Sequence, residues 1–112
     1  MTDAPRSASV AEALIGQILS QAGSDTQLLS AREREWASMT FSGARHCIAL
    51  RICMHEAAVM PPRWLSTLCD YNFHLDGQIV ADCSITVGRA ARDASGVAWM
   101  PCTVELLTIT AD

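Results

Sequence analysis

The sequence contains no lysine, and all eight of its basic residues are arginine. No side-chain amine is therefore available for Schiff-base chemistry, which excludes one class of covalent catalysis. Charged residues make up only 18% of the chain and hydrophobic residues make up 50%, which is the opposite of the composition of a disordered protein. The chain also lacks a run of about 20 apolar residues, so we do not expect an integral membrane protein.

Basic charge is scarce as well. Eight arginines against twelve acidic residues give a formal net charge of −4 at pH 7, and the pI is about 5.2. Nucleic-acid-binding surfaces are basic, so this balance argues against a nucleic-acid partner. A length of 112 residues suits one domain. We predict a single domain over residues 1–112, with residues 1–7 as a loose N-terminal tail.

The five cysteines are dispersed along the chain, and no two of them form a Cys-x-x-Cys pair. A short secreted disulfide scaffold usually has an even number of cysteines, so five argues against that class. The N-terminal segment is also atypical of a secretion signal, because Asp3, Glu12 and Gln17 interrupt its apolar residues. We therefore expect a cytoplasmic protein whose thiols are reduced.

The first periodic segment predicts a helix over residues 9–22. Val10, Leu14 and Ile18 recur at every fourth position and form an apolar stripe. Ser9 with Glu12 resembles a capping box, which marks a helix start, and the following Gly23 suits a left-handed C-terminal cap. Residues 24–31 are interpreted as a connector.

Two segments with period-two alternation follow, over residues 36–41 and 46–53, on either side of a turn at residues 42–45. Gly43 and Ala44 suit the centre of a type II′ turn. The predicted cross-strand pairs are Phe41 with His46, Met39 with Ile48, and Ala37 with Leu50. Cross-strand neighbours share a face, so this register gathers the large apolar side chains on one side of the sheet.

A second helix is predicted after a loop at residues 54–60. Pro61 and Pro62 suit its first turn, because proline lacks only an amide that has no helical partner there. We expect this helix to end near Asn72 and to present an apolar side that includes Trp64, Leu65 and Leu68. A turn at Asp76 and Gly77 separates it from the next strand.

The last two strands are predicted over residues 78–87 and 97–110, with an exposed loop at residues 88–96 between them. In the first of these strands we expect one side to face the helices and the other to face away; the helix side would carry Ile79, Ala81, Cys83, Ile85 and Val87. The alternation of the last strand changes parity, which favours a bulge near Leu106.

The element order is therefore α-β-β-α-β-β, an α+β fold. A four-stranded antiparallel sheet with both helices on one face is the simplest arrangement that buries the apolar stripes. A right-handed crossover through the second helix favours the spatial strand order 1-2-4-3.

The motifs of common catalytic and cofactor sites are missing. His46 with Cys47, and Cys53 with His55, are the closest ligand pairs, whereas structural zinc requires two close pairs at suitable spacing. There is no glycine-rich phosphate loop and no nucleophile-elbow motif. We therefore assign no catalytic residue, no metal and no cofactor.

The sheet face turned away from the helices is expected to be small, uncharged or aromatic, with one arginine and one aspartate that could pair. Its candidate interface residues are Trp36, Ser38, Thr40, Cys47, Ala49, Arg51, Val80, Asp82 and Ser84. A face of this kind suits a second packed sheet, and a two-fold homodimer is the commonest way to cover it. The favoured hypothesis is a non-catalytic, self-associating interaction or accessory module.

A second hypothesis belongs to another class of protein. In it the chain is a small-ligand-binding or enzymatic domain whose polar site comprises Asp82, Arg51, His46 and Cys47. The two hypotheses differ in whether these four side chains meet, because a ligand site needs converging polar groups.

Overall fold

A computed structural model describes residues 6–54 and 62–110 of the chain. Its elements are α1 (Arg6–Ala22), β1 (Thr26–Ala37), β2 (Ser42–Cys53), α2 (Arg63–Leu68), β3 (Gln78–Val87), β4 (Ala91–Arg92) and β5 (Ala98–Thr110). The α+β class and the order of the main elements are as predicted. The two-residue β4 is an addition that the sequence pattern does not predict, since it lies inside the expected loop.

The strands form one antiparallel sheet in the order β1-β2-β5-β3, with β4 also paired to β5. The four long strands thus lie in the predicted spatial order. β1 and β3 are the edge strands, and β2 and β5 are the central ones. Among the described residues, no helix is long and apolar enough to cross a membrane.

Helix α1 begins at Arg6, three residues earlier than predicted, so residues 6 and 7 do not belong to a tail and the predicted start at Ser9 is wrong. The rest of the predicted tail, residues 1–5, lies outside the described residues. The predicted end is confirmed: Gly23 has a φ of +81°, and its amide donates to the Leu19 carbonyl at 3.0 Å. Glycine adopts this left-handed conformation without the steric cost of a Cβ.

Both helices pack on the same face of the sheet, which is called the helix face here. Leu14 and Ile18 of α1 are fully buried there, as is Leu68 of α2. They share one buried cluster with residues of the sheet and with Met54, which follows β2. The cluster comprises Val10, Leu14, Ile18, Ile48, Leu50, Ile52, Met54, Leu65, Leu68, Met100, Cys102, Val104 and Leu106. Burial of these apolar side chains is the main stabilising contribution to the fold.

Helix α2 is shorter than predicted and ends at Leu68, four residues before Asn72. The hydroxyl groups of Ser66 and Thr67 donate to carbonyls three residues earlier, at 2.7 and 3.2 Å, and such bonds compete with the helical ladder. Pro62 stands at its N-cap. Pro61 and residues 55–60 of the predicted loop lie outside the described residues, whereas Met54 is buried.

The first hairpin differs from the predicted one. Its turn comprises residues 38–41, not residues 42–45, and Ala37 pairs with Ser42. The amide of Ser38 donates to the Phe41 carbonyl at 2.7 Å, and the Ser38 Oγ accepts from the Phe41 amide at 3.0 Å. These two bonds close the turn and leave Met39 at its tip, fully exposed.

The register therefore slips relative to the predicted pairs. Ile48 pairs with Ala31 rather than Met39, Leu50 pairs with Leu28 rather than Ala37, and Phe41 is in the turn and about half exposed. The segment interpreted as a connector, residues 24–31, contributes residues 26–31 to β1.

The buried side of β5 alternates without interruption from Met100 to Thr108. The predicted bulge near Leu106 is wrong, because the pairing of β5 with β2 is continuous. The irregularity lies in β3 instead, between Val80 and Asp82. A bulge reverses the faces of the residues on one side of it, so Ile79 points away from the helices and Val80 packs against the core.

Candidate interaction surface on the open sheet face

The sheet face turned away from α1 and α2 is called the open face. Cross-strand pairing arranges its side chains in rows that run from β1 through β2 and β5 to β3. In that order, the rows are Trp36, Gly43, Ile109 and Ile79; then Arg34, Arg45, Leu107 and Asp82; then Arg32, Cys47, Glu105 and Ser84; then Ser30, Ala49, Thr103 and Thr86.

Opposite charges lie on opposite halves of the open face. Arg32, Arg34 and Arg45 lie on the β1 and β2 half, whereas Asp82 and Glu105 lie on the β3 and β5 half, and all five side chains are exposed. Arg34 and Asp82 are three strand spacings apart in their row, which is too far for an ion pair within one chain. The open face therefore has a basic half and an acidic half.

Two of the arginines are direct cross-strand neighbours. Arg34 pairs with Arg45 on the same face, and like charges in this position destabilise a sheet. The arginines border a groove of about 470 Å³, which also reaches Asp82 and Glu105. The half-buried Cys47 and Leu107 are among its other lining residues. An anionic group that entered this groove would relieve the repulsion between the arginines.

The row that begins with Trp36 lies beside the row of Arg34, at one end of the charged rows. The Trp36 indole crosses strand β2 above Gly43, and its Nε1–H donates to the backbone oxygen of Thr108 at 3.3 Å. A Cβ at Gly43 would overlap that same oxygen, so glycine is required where the backbones of β2 and β5 approach this closely. At the far end of the row Ile79 is 54% exposed, which leaves a large aliphatic side chain on the open face.

The opposite end of the open face holds an arginine on a tryptophan. The guanidinium carbon of Arg51 lies 3.9 Å from the centroid of the Trp99 ring, a cation–π contact. The Arg51 Nε also donates to Gln27 Oε1 at 2.8 Å. Arg51 is thus fixed by contacts within the chain, unlike Arg32, Arg34 and Arg45 of the charged rows.

Six of the nine predicted interface residues lie on the open face, namely Trp36, Cys47, Ala49, Arg51, Asp82 and Ser84. The other three do not. Ser38 and Thr40 are in the hairpin turn, because the register slips, and Val80 is on the helix face, because of the bulge in β3. The expectation of a single arginine on this face is also wrong, since it carries four.

The residues that sequence reasoning misses are Arg32, Arg34, Arg45, Glu105 and the exposed Ile79. The run Arg32, Glu33, Arg34, Glu35 is itself a period-two signal, with arginines on one parity and glutamates on the other. Alternating charge of this kind is compatible with a solvated edge strand, and it would have extended the predicted strand backward from Trp36.

The polar site of the second hypothesis is not assembled. His46 lies on the helix face and is buried, with its Nε2 3.2 Å from Thr108 Oγ1. The Thr108 hydroxyl donates to the Ala44 carbonyl, so His46 Nε2–H donates to Thr108, and burial lowers the pKa of His46. Cys47, Arg51 and Asp82 are on the other face, where the partners of Arg51 and Asp82 on β5 are six residues, or about 20 Å, apart.

Metal ligands do not converge either. Within residues 6–54 and 62–110, no group of three or more histidine, cysteine, aspartate or glutamate side chains is placed to hold a metal ion. Of the two ligand pairs noted in the sequence, Cys53 with His55 includes a residue, His55, that lies outside the described residues. His46 and Cys47 point to opposite faces of β2, as adjacent strand residues do.

The described features that bear on function are thus concentrated on the open face. They are two oppositely charged halves, a groove between them and an apolar row at one end. In comparisons with known proteins, the chain matches no family model, no curated protein and no solved structure.

Proposed function

We propose that the chain is a non-catalytic, self-associating module of the cytoplasm, which dimerises by stacking the open faces of two copies. The observation that carries this proposal is the separation of charge across the sheet. The arginines lie on β1 and β2, and the carboxylates lie on β5 and β3. A surface with this pattern is complementary to a second copy of itself in one orientation.

That orientation has its two-fold axis between the sheets and parallel to the strands. The axis places β1 of one copy over β3 of the second copy, so each row faces itself in reverse order. Arg34 then lies over Asp82 of the second copy, and Arg32 lies over Ser84 of the second copy. An in-plane axis perpendicular to the strands would place arginines over arginines, which charge repulsion disfavours.

The remaining positions are also compatible with the strand-parallel axis. Trp36 faces the exposed Ile79 of the second copy, which pairs the two apolar ends of one row. In the centre of that row Ile109 of the second copy lies over Gly43, where the Trp36 indole crosses β2, so two apolar side chains meet. Two sheets pack about 10 Å apart, and arginine side chains can bridge that gap.

Association through the sheet edge is a different mode, and the sequence of β1 opposes it. Antiparallel pairing of two β1 strands about a two-fold axis keeps residues of the same face side by side. Arg32 and Arg34 would then lie beside the arginines of the second copy, and Glu33 and Glu35 would lie beside its glutamates. Like charges on an edge strand are a common protection against such pairing.

Sedimentation equilibrium of the wild-type chain and two variants tests the proposal. Ala49→Glu places a carboxylate at the half-buried centre of the open face, and Ser20→Glu places the same charge on an exposed position of α1 as the matched control. We expect a dimer mass for the wild type and Ser20→Glu, and a monomer mass for Ala49→Glu with an unchanged circular dichroism spectrum. A wild-type monomer at high protein concentration would overturn the proposal.

A further inference from the structure

Cys69 and Cys83 bring two thiols together from separate elements. Cys69 is the C-cap residue of α2, and Cys83 belongs to the helix face of β3, where it pairs with Leu106. Their Sγ atoms are 2.8 Å apart. Both cysteines are free, and a disulfide bond of about 2.05 Å requires only a small further approach.

We propose that Cys69 and Cys83 form a reversible disulfide site, which a low-molecular-weight disulfide such as oxidised glutathione closes by thiol–disulfide exchange. The bond would join the end of α2 to strand β3. It would form on the helix face, away from the rows that carry the proposed self-association.

The exchange proceeds in two steps. The thiolate of Cys69 attacks one sulfur of oxidised glutathione, which forms a mixed disulfide and releases one glutathione thiolate. The thiolate of Cys83 then attacks the Sγ of Cys69 and releases the second glutathione. The two protein thiols lose two protons and two electrons, and one molecule of oxidised glutathione becomes two molecules of the reduced thiol.

The surroundings of the two sulfurs assign these roles. Cys69 is exposed and can meet an external disulfide, whereas Cys83 is half-buried. Burial, and then the hydrogen bond with Cys69, raise the pKa of the Cys83 thiol to about 12. Exposure therefore favours Cys69 as the thiol that reacts first, and Cys83, whose Sγ lies 2.8 Å away, resolves the mixed disulfide.

The other three cysteines provide internal comparisons. Cys47 and Cys53 lie on the open face of β2, six residues and therefore about 20 Å apart, so they cannot bond to each other within one chain. Cys102 is 2% exposed in the core, where burial raises the pKa of its thiol to about 11. The geometry thus favours one pair among the five thiols.

Peptide mapping tests the proposal directly. The reduced chain is incubated with oxidised glutathione, free thiols are alkylated, and trypsin is added. Because the chain has no lysine, trypsin cuts after Arg63 and Arg89 and releases residues 64–89 with both cysteines. We expect this peptide to be two hydrogen atoms lighter than its reduced form and unalkylated, and dithiothreitol to reverse the change.

A second digestion and two variants distinguish a Cys69–Cys83 bond from a mixed disulfide with glutathione. Chymotrypsin cuts after Tyr71 and Phe73, between the two cysteines, so only a Cys69–Cys83 bond would keep the pieces joined. Cys83→Ser should instead accumulate glutathione on Cys69, while the matched control Cys47→Ser should still close the bond. Alkylation of Cys69 and Cys83 to the same extent as Cys53, or a lasting mixed disulfide in the wild type, would overturn the proposal.

These results are separable from those on self-association. Sedimentation measures association through the open face, whereas peptide mapping measures disulfide formation on the helix face. A monomeric wild type that closes the bond would refute the first proposal alone, and a dimer that does not close it would refute the second alone.

Discussion

Arg34 and Asp82 lie in the same row of the open face at opposite edges of the sheet, with Arg45 and Leu107 between them. Three strand spacings separate their backbones by about 14 Å, so the two charges do not pair within one chain. A two-fold axis parallel to the strands brings Arg34 of each copy over Asp82 of the other. The row thus links the register of the sheet to the proposed mode of self-association.

The packing of α1 on the sheet predicts a contrast between two leucines. Leu14 is fully buried beneath α1, whereas Leu29 lies in the irregular part of β1 and is 55% exposed. We expect Leu14→Ala to lower the free energy of unfolding by about 2–5 kcal/mol, because it leaves a cavity, and Leu29→Ala to change it by less than about 0.5 kcal/mol. Urea denaturation at one fixed protein concentration measures both. Similar losses for the two variants would contradict the assigned burial of α1.

The sequence predicts the central strands better than the edge strand β1. In β2 the buried residues Ile48, Leu50 and Ile52 alternate with residues of the open face, because a central strand must match a core on one side. β1 is an edge strand whose residues are almost all exposed, so it carries no apolar alternation between Arg32 and Glu35. Burial leaves an apolar alternation in the sequence, whereas this exposed strand leaves only an alternation of charge.

The error in the hairpin has a specific physical origin. Met39 and Phe41 continue the apolar alternation up to Gly43, so the pattern favours a turn around that glycine. The bonds of Ser38 close the turn earlier, and Gly43 lies instead where the backbones of β2 and β5 approach closely. A glycine required by a close backbone approach and a glycine that turns the chain cannot be distinguished from local sequence.

The candidate site could be predicted from the sequence only in part, because two errors assigned residues to the wrong place in the sheet. The slip of the hairpin hid the three arginines of the charged rows. The bulge in β3 exchanged Ile79 and Val80 between the faces, and a bulge of one residue has no strong sequence signal. Asp82 and Ser84 lie beyond that bulge and were assigned to the correct face.

The buried histidine predicts a dependence of stability on pH. Burial lowers the pKa of His46 below its ordinary value of 6.5, so the folded state favours the neutral ring. At pH values between the pKa of His46 in the folded state and 6.5, the unfolded state binds more protons than the folded state. The free energy of unfolding therefore falls as the pH drops below about 6.5. Denaturation midpoints from pH 7.5 to 5 measure this slope.

A pair of variants assigns that slope to His46. His46→Gln retains an amide donor for Thr108 but does not titrate, so we expect a flatter slope. His74→Gln changes an exposed histidine and should leave the slope unaltered. Equal slopes for the wild type and His46→Gln would show that His46 does not cause the dependence.

The loop before β5 predicts an unusually acidic carboxyl group. Hydrogen bonds from the Ser95 hydroxyl, the Trp99 indole and the Val97 amide, at 2.7, 2.9 and 3.0 Å, lower the pKa of Asp93 to about 2. The contribution of these bonds to stability is present above the ordinary value of 3.8 and is lost as the pH falls toward 2. An NMR titration should place the midpoint of the Asp93 carboxyl near 2, with a matching shift of the Trp99 indole proton. A midpoint near 3.8 would contradict these bonds.

Charge reversal across the open face examines the stacked orientation itself. Arg34→Glu and Asp82→Arg each place like charges together at both symmetric contacts of the proposed dimer. We expect each single variant to raise the dimer dissociation constant by at least about tenfold, or about 1.4 kcal/mol. Glu35→Arg is the matched control, because it reverses a charge on the helix face of the same strand and should leave the dissociation constant unchanged.

The most direct measurement of self-association through the open face is the dissociation constant of the double variant Arg34→Glu with Asp82→Arg, obtained by sedimentation equilibrium. The exchanged charges again face each other across the two-fold axis. The account predicts recovery to within about threefold of the wild-type value, which leaves less than about 0.7 kcal/mol of the loss. The account would be contradicted if the double variant lost as much dimerisation free energy as the two single variants lose together.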